Sequence, residues 1–259
     1  MTFKNRQPWR LGGTSCVLPA DIMANVRVLA PLVDDVQLLF FESAAKSLLP
    51  QPVDVQELRA LAEEHDLSYT VHLPTDLALG AASKSERQEG IAEILRLMDQ
   101  LAPLGPQSFD LHLVREQELS EAAWLDNLAA SLRELTGALG EEKRLVAVEN
   151  IEYPYSLVAP LVAEYGFSVC LDLGHLVHYG QDLEEGLGLL PQVRHRHYHG
   201  VRDGRDHQAL IDAEQARMLG KRLAEAGYDG VITLEMYSLE KLKGSLALLA
   251  EAWPPFVGK

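Results

Sequence analysis

The sequence predicts a single (β/α)8 TIM barrel, and three observations predict it. Apolar strand-like runs alternate with helical patterns from end to end, as in successive βαβ units. Eight such units fit in 259 residues, the size of a closed α/β barrel forming one domain over 1–259. An open doubly wound sheet is the alternative, but it would normally carry a Gly-rich phosphate loop after strand one, and the two glycines of LGGTS lack the G-x-G-x-x-G spacing.

Taken in order, Arg10–Ser15 reads as the first strand. Pro19–Leu32 reads as a helix with Ile22, Val26 and Leu29 on one side. Val33–Glu42 is the second strand and ends on a carboxylate. Asp54–His65 is a helix, with Asp54 as N-cap and Glu57 completing a capping box. Ser68–Pro74 is the third strand; Ile91, Ile94, Leu95 and Met98 mark a helix over Ser85–Leu101. Phe109–Val114 is the fourth strand. Trp124, Leu128, Leu132, Leu135 and Leu139 form one core-facing stripe of the helix Ser120–Leu139. Leu145–Ile151 is the fifth strand, followed by the helix Ser156–Tyr165, which Gly166 closes. Ser168–Leu173 is the sixth strand, followed by a short helix over Asp182–Leu190. The seventh strand opens the stretch Val193–His207, VRHRHYHGVRDGRDH. Asp212–Ala226 is a helix closed by Gly227, Gly230–Met236 the eighth strand and Ser238–Trp253 the last helix. No hairpin turn signal is read between strands, so the strands are expected to be parallel.

Composition narrows the function classes. The net charge is -15, with 38 acidic against 23 basic residues, which disfavours a partner gripped through nucleic-acid phosphates. Cys16 and Cys170 are too few and too far apart for a disulfide framework, which fits a reducing compartment. The N-terminus MTFKNRQPWR lacks an apolar signal-peptide core. No apolar run approaches the ~20 residues that span a bilayer. The expectation is a cytoplasmic protein without a membrane partner.

Catalytic side chains of such barrels gather at the C-terminal ends of the strands. The candidates there are Glu42, His72, His112, Glu149, Asp172 with His175, His199 with Asp206 and His207, and Glu235. Any one alone reads as a surface residue or a satisfied core histidine. An ionisable side chain at the same end of nearly every apolar strand is harder to explain that way. Burying them unpaired is costly, and bound cations remove the cost. His195, His197 and His199 alternate and share a strand face. His195, the deepest, reads as structural; His197 is a rim ligand, a substrate contact or a buried hydrogen-bonder. His65 reads as a helix-dipole partner, His178 as a turn cap and Cys170 as core filler. Arg202 and Arg205 either fork onto a phosphate or are solvated loop charges. Tyr153 and Tyr155 either stack on an aromatic group of the substrate or cap the barrel.

The series HLP, HLV, VENI, DLGH, YHGV…DH and LEM resembles the xylose-isomerase-like TIM barrels, and within them the endonuclease IV branch. The resemblance covers essentially the whole chain. It implies a cluster of divalent ions, commonly zinc, and phosphodiester hydrolysis. The implied ligands are His72, His112, Glu149, Asp172, His175, His199, Asp206 or Asp203, His207 and Glu235, with Glu149 and Glu235 as bridging carboxylates. The branch has Asp-x-His after strand seven, whereas here Arg205 holds the aspartate position and Asp206 adjoins His207. Two or three ions per chain, zinc or manganese, are therefore expected. The Asp172-x-x-His175 pair is shared with sugar isomerases; His72 and His112 discriminate better.

The segment Gly13–Glu42 and the TVHLP of Thr70–Pro74 are similar to the cobamide-remodelling phosphodiesterases of the same superfamily. That similarity implies a small corrinoid substrate, cut in its nucleotide loop. Glu149, Glu235 and His175 are the candidate catalytic residues; Arg202, Arg205, Tyr153 and His197 are the candidate substrate contacts. Three rivals remain. A sugar isomerase or epimerase would need one divalent ion on Glu149, Asp172, His199 and Glu235, with the glutamates exchanging protons. The others are abasic-site DNA repair and a non-catalytic metal- or corrinoid-binding barrel.

Overall fold

Strand and helix alternate along the residues described by the computed structural model, 3–43, 52–182 and 193–256. The first half runs β1 (Arg10–Thr14), α1 (Ile22–Leu29), β2 (Asp35–Leu39), α2 (Pro52–His65), β3 (Ser68–His72), α3 (Lys84–Leu101), β4 (Phe109–Leu111) and α4 (Glu121–Leu139). The second runs β5 (Val146–Glu149), α5 (Ala159–Tyr165), β6 (Ser168–Asp172), α6 (Leu173–His178), β7 (Val193–His197), β8 (Gly200–Arg202), β9 (Arg205–Gln208), α7 (Ala213–Glu225), β10 (Val231–Leu234) and α8 (Leu239–Ala252). Eight of these strands close a parallel barrel in the order β1-β10-β7-β6-β5-β4-β3-β2. Helix starts are set by short polar side chains that accept a first-turn N–H: Asp21 from Ala24, Ser83 from Glu86, Ser120 from Ala123 and Ser238 from Lys241.

Alternation along each strand sorts the core into two layers. Val36, Leu38, Val71, Leu111, Val148, Leu171, Ile232 and Leu234 are all fully buried in the apolar core between sheet and helices. The residues that alternate with them face the barrel interior and are mostly polar, with Ala147 and Cys170 as exceptions. Asp35 accepts hydrogen bonds from Ser68 and Thr70. Above it, Ser108 Oγ donates to Asp110 Oδ1 at 2.8 Å, and His195 Nδ1 lies 2.7 Å from Asp110 Oδ2. His195 Nε2 completes the layer 2.8 Å from Thr233 Oγ1, so His195 is the satisfied core histidine expected of it. Cross-strand register sets the next layer, with His197 opposite both Thr233 and Asp172.

Four local expectations are corrected. The helix α2 begins at Pro52, so Asp54 lies in its first turn and not at its N-cap. The chain enters α6 directly from β6, with the Asp172 side chain as N-cap on His175 N; the short helix expected over Asp182–Leu190 lies outside the described residues, except for Asp182. The stretch after β7 is not a plain loop: β8 and β9 form an antiparallel hairpin. Its turn, Asp203–Gly204, has φ of 54° and 69°, the two positive values of a type I′ turn, for which Asp-Gly is the usual sequence. That turn signal was present in the sequence. Glu42 lies beyond β2, which ends at Leu39, and is exposed. No helix among the described residues is long and apolar enough to cross a membrane.

Trp124 of α4 ties the outer layer to the C-terminal end of β4. It is fully buried, its Nε1 donates to Val114 O at 2.9 Å, and Tyr153 packs edge-on at 5.3 Å. Gly80 leaves room for it: a Cβ there would lie 2.3 Å from the indole. Trp124→Ala is expected to cost about 3–5 kcal/mol, read as a lowered denaturation midpoint in urea; an unchanged midpoint would contradict this packing account.

Candidate metal centre at the mouth of the barrel

Glu149 ends β5 at the centre of the barrel with no solvent exposure. One of its oxygens, Oε2, lies 3.4 Å from His72 Nε2 and 3.3 Å from His112 Nε2. The other, Oε1, lies 3.2 Å from both His175 Nδ1 and His197 Nδ1. Burial pushes this carboxyl up, but His197, His112 and His175 together hold it well below the usual carboxylate range. Across the mouth, Glu235 Oε2 lies 3.1 Å from His197 Nδ1, and surrounding imidazoles, led by His197, hold its carboxyl at about 2 against its burial. Asp172 Oδ1 lies 3.2 Å from His199 Nε2.

These donors fall into three sets whose ligand atoms lie within 4.8 Å of one another: His72, His112 and Glu149; Glu149, Asp172, His197 and Glu235; and His175, His199 and His207. A fourth set, Asp110, Cys170, His195 and His197, lies deeper. Orphaned atoms separate the sets. His112 Nε2, both Glu149 oxygens, His197 Nδ1 and Glu235 Oε2 are buried without a hydrogen-bond partner. Asp110 and His195 of the deep set are satisfied by each other and by Ser108 and Thr233. The mouth thus has the buried, unpaired donor atoms that divalent cations satisfy, and the deep set does not.

Imidazole orientation fits the same use. His72 Nδ1 donates to Leu73 O at 2.8 Å, His175 Nδ1 to Asn150 O at 3.0 Å and His207 Nδ1 to Glu235 O at 3.1 Å. Each ring thereby presents Nε2 as its free lone pair, as an outer backbone partner does for a metal-binding histidine. Asn150 locks the ends of β5 and β6 together, donating to Asp172 O at 2.9 Å and accepting from Asp172 N at 2.7 Å. His207 has φ +48°, an uncommon value that turns its ring over the mouth while its N–H donates to His199 Nδ1 at 3.0 Å.

The structure therefore gathers His72, His112, Glu149, Asp172, His175, His199, His207 and Glu235 at one end of the barrel. Asp206 Oδ2 lies 3.6 Å from His207 Nε2, whereas Asp203 sits exposed in the hairpin turn, so of the two aspartates Asp206 is the one beside the cluster. Several expectations change. His197 is not a substrate contact at the rim: it is fully buried, its Nε2 facing Gln37 at 2.7 Å and its Nδ1 facing Glu149 and Glu235. It takes the place expected of His199 in the set with Glu149, Asp172 and Glu235. Tyr153 is no stacking platform, because it is buried and its hydroxyl donates to Leu113 O at 2.6 Å; Tyr155 is buried too. Arg202 and Arg205 flank the hairpin turn and are exposed. His178 Nε2 lies 3.9 Å from Asp206 Oδ2, beside the mouth.

Gln37, Asp110, Asn150, Phe41 and Tyr237 were missed from sequence. Two of them carried a signal: Asp110 lies two residues before His112 in the predicted fourth strand, and Tyr237 follows Glu235 by two residues.

Such a donor cluster at the C-terminal mouth of a parallel barrel has the ligand types that a divalent-metal centre needs, on a (β/α)8 frame that supports many chemistries. The chain belongs to the xylose isomerase-like TIM barrel family, whose profile matches residues 33–252. No curated protein matches the sequence. Among solved structures it is similar to a D-tagatose 3-epimerase-like protein, at 20% identity and a TM-score of 0.78, over 94% of this chain and 96% of that one. Endonuclease IV from Thermus thermophilus gives 21% identity and a TM-score of 0.67, over 94% and 98% of the two chains. The IOLI protein, solved with a binding zinc atom, gives 14% and 0.71, over 94% and 96%. At these identities the likeness speaks for the fold.

Gly174 is a close-approach position in this site. A Cβ there would lie 2.1 Å from His199 Cε1, so the ring packs directly on the α6 backbone. Gly174→Ala is expected to displace His199 and weaken zinc binding about 10- to 100-fold while far-UV circular dichroism stays unchanged; unaltered affinity in a zinc titration would refute it.

Proposed function

We propose that the protein is a metal-dependent phosphodiesterase that cleaves the nucleotide loop of cobamides. The observation that carries the reaction class is the meeting of His72 and His112 at Glu149 Oε2. A one-ion sugar isomerase needs only the set Glu149, Asp172, His197 and Glu235. The imidazoles from β3 and the end of β4 supply a further donor set that such a reaction does not use. The corrinoid substrate is supported by the likeness of Gly13–Glu42 and Thr70–Pro74 to the cobamide-remodelling enzymes. An acidic chain also suits a small substrate better than duplex DNA.

Divalent ions held by these sets would supply Lewis acidity at phosphoryl oxygens and a more acidic water. The chain's own part is positioning. Glu149 belongs to two of the donor sets and fixes their separation. Asp172, Glu235 and His197 close the second set from three strands, and His175, His199 and His207 close the third. Arg202 and Arg205 are exposed on the hairpin, where a guanidinium fork could meet a phosphate arriving from solvent. Mass analysis of products from metal-loaded protein and an intact cobamide tests the reading directly. Recovery of the cobamide unchanged would overturn it.

Epimerisation is the second reading, favoured by the likeness to the D-tagatose 3-epimerase-like protein. Counting ions separates the two. More than one zinc or manganese per fully loaded chain is expected by elemental analysis, and one would favour the isomerase. Glu149→Gln and Glu235→Gln are each expected to lower turnover by at least about a hundredfold without unfolding the chain, with His65→Ala, remote at the end of α2, as the silent control; near-normal rates in both would misplace the site.

His72→Ala or His112→Ala should lose one ion per chain and most hydrolysis while keeping the ion of Asp172, His197 and Glu235. Unchanged metal content and rate would make both ordinary core histidines.

A further inference from the structure

Two exposed aromatic rings meet beside the donor cluster, and neither is used above. Phe41, two residues beyond β2, is 47% exposed, and Tyr237, three beyond β10, is 40% exposed. Their rings meet edge-on at 5.6 Å with an interplanar angle of 70°. Both are held in place. Phe41 O accepts from Thr75 N at 3.1 Å and from Thr75 Oγ1 at 2.7 Å, which pins its loop to the segment after β3. The Tyr237 ring packs on His207 at 4.6 Å. Its hydroxyl donates to Glu235 Oε1 at 3.2 Å and lies 3.5 Å from His207 Nε2.

Large rings usually bury most of their surface, and a pair left half open but fixed is preorganised contact area. Here one ring of the pair is hydrogen-bonded to a carboxylate of the cluster. A ligand whose anionic group enters the cluster would carry its next substituent past this wall. A small alkyl group covers little of such ring faces, whereas a planar aromatic group stacks on them over its whole area. We propose that Phe41 and Tyr237 form a stacking wall that selects phosphoesters bearing a planar aromatic group, with the Tyr237 hydroxyl turning its one hydrogen from Glu235 Oε1 to the ester. This rests on the phosphodiesterase reading. Phe41 is a specificity residue, and Tyr237 contributes both ring and donor.

The test is calorimetric binding of phenyl phosphate and methyl phosphate to the full-length, zinc-loaded protein. The wild type should bind phenyl phosphate about five- to tenfold more tightly than methyl phosphate. Phe41→Ala should bring that ratio below about two, with zinc content unchanged as the check on folding. Tyr237→Phe keeps the ring and removes the hydroxyl, so it should weaken both ligands while preserving most of the ratio. Equal affinities in the wild type, or a full ratio in Phe41→Ala, overturn the wall and leave the phosphodiesterase reading standing. Failure of both phosphates to bind overturns that reading, and the wall falls with it.

Discussion

Burying a carboxylate without compensation costs several kcal/mol, and Glu149 is buried completely. Everything at the mouth of the barrel is arranged around that cost. Six strand ends and the start of one helix aim imidazoles or carboxylates at the same small volume, and Glu149 places one oxygen toward His72 and His112 and the other toward His175 and His197. Pairing among these groups is incomplete, since both oxygens lack a geometrically sound hydrogen bond. Divalent cations bound there would complete what the side chains leave undone.

The support beneath the cluster is polar as well. Asp110 sits under His197, shared with His195 and Gln37, and is anchored by Ser108. Burial opposes ionisation of Asp110, and the neighbouring His195 and His197 overcome it. These deep groups hold the rings from below, as Leu73, Asn150 and Glu235 hold others through their backbone carbonyls. Outer partners of this kind fix ring orientation and tautomer, which apolar packing does not do.

One barrel can host epimerisation and phosphodiester chemistry because its strand ends are interchangeable positions on a shared frame. In this chain one donor set, Glu149, Asp172, His197 and Glu235, is drawn from the ends of β5, β6, β7 and β10. The imidazoles contributed from β3 and β4 enlarge the centre toward one side, and the aromatic pair Phe41 and Tyr237 borders it near β2 and β10. The shape of the mouth, more than the barrel, carries the difference.

The sequence by itself determined the barrel and most of the ionisable side chains that stand at its C-terminal mouth. Those rest on local geometry: a strand alternates with period two, so His72, Glu149 and Asp172 in apolar runs had to face inward. The Asp203–Gly204 turn was legible too, as a polar turn, while the pairing of β8 with β9 on either side of it was not. Only the tertiary structure decided between His197 and His199, which share a strand face and differ by one layer. Register against Asp172 and Thr233 settles that layer, and register is non-local. The inward turn of Tyr153 onto Trp124 was likewise undetermined, as was the meeting of Phe41 with Tyr237 across β1. Such contacts join residues far apart in the chain, and barrel closure alone brings them within reach.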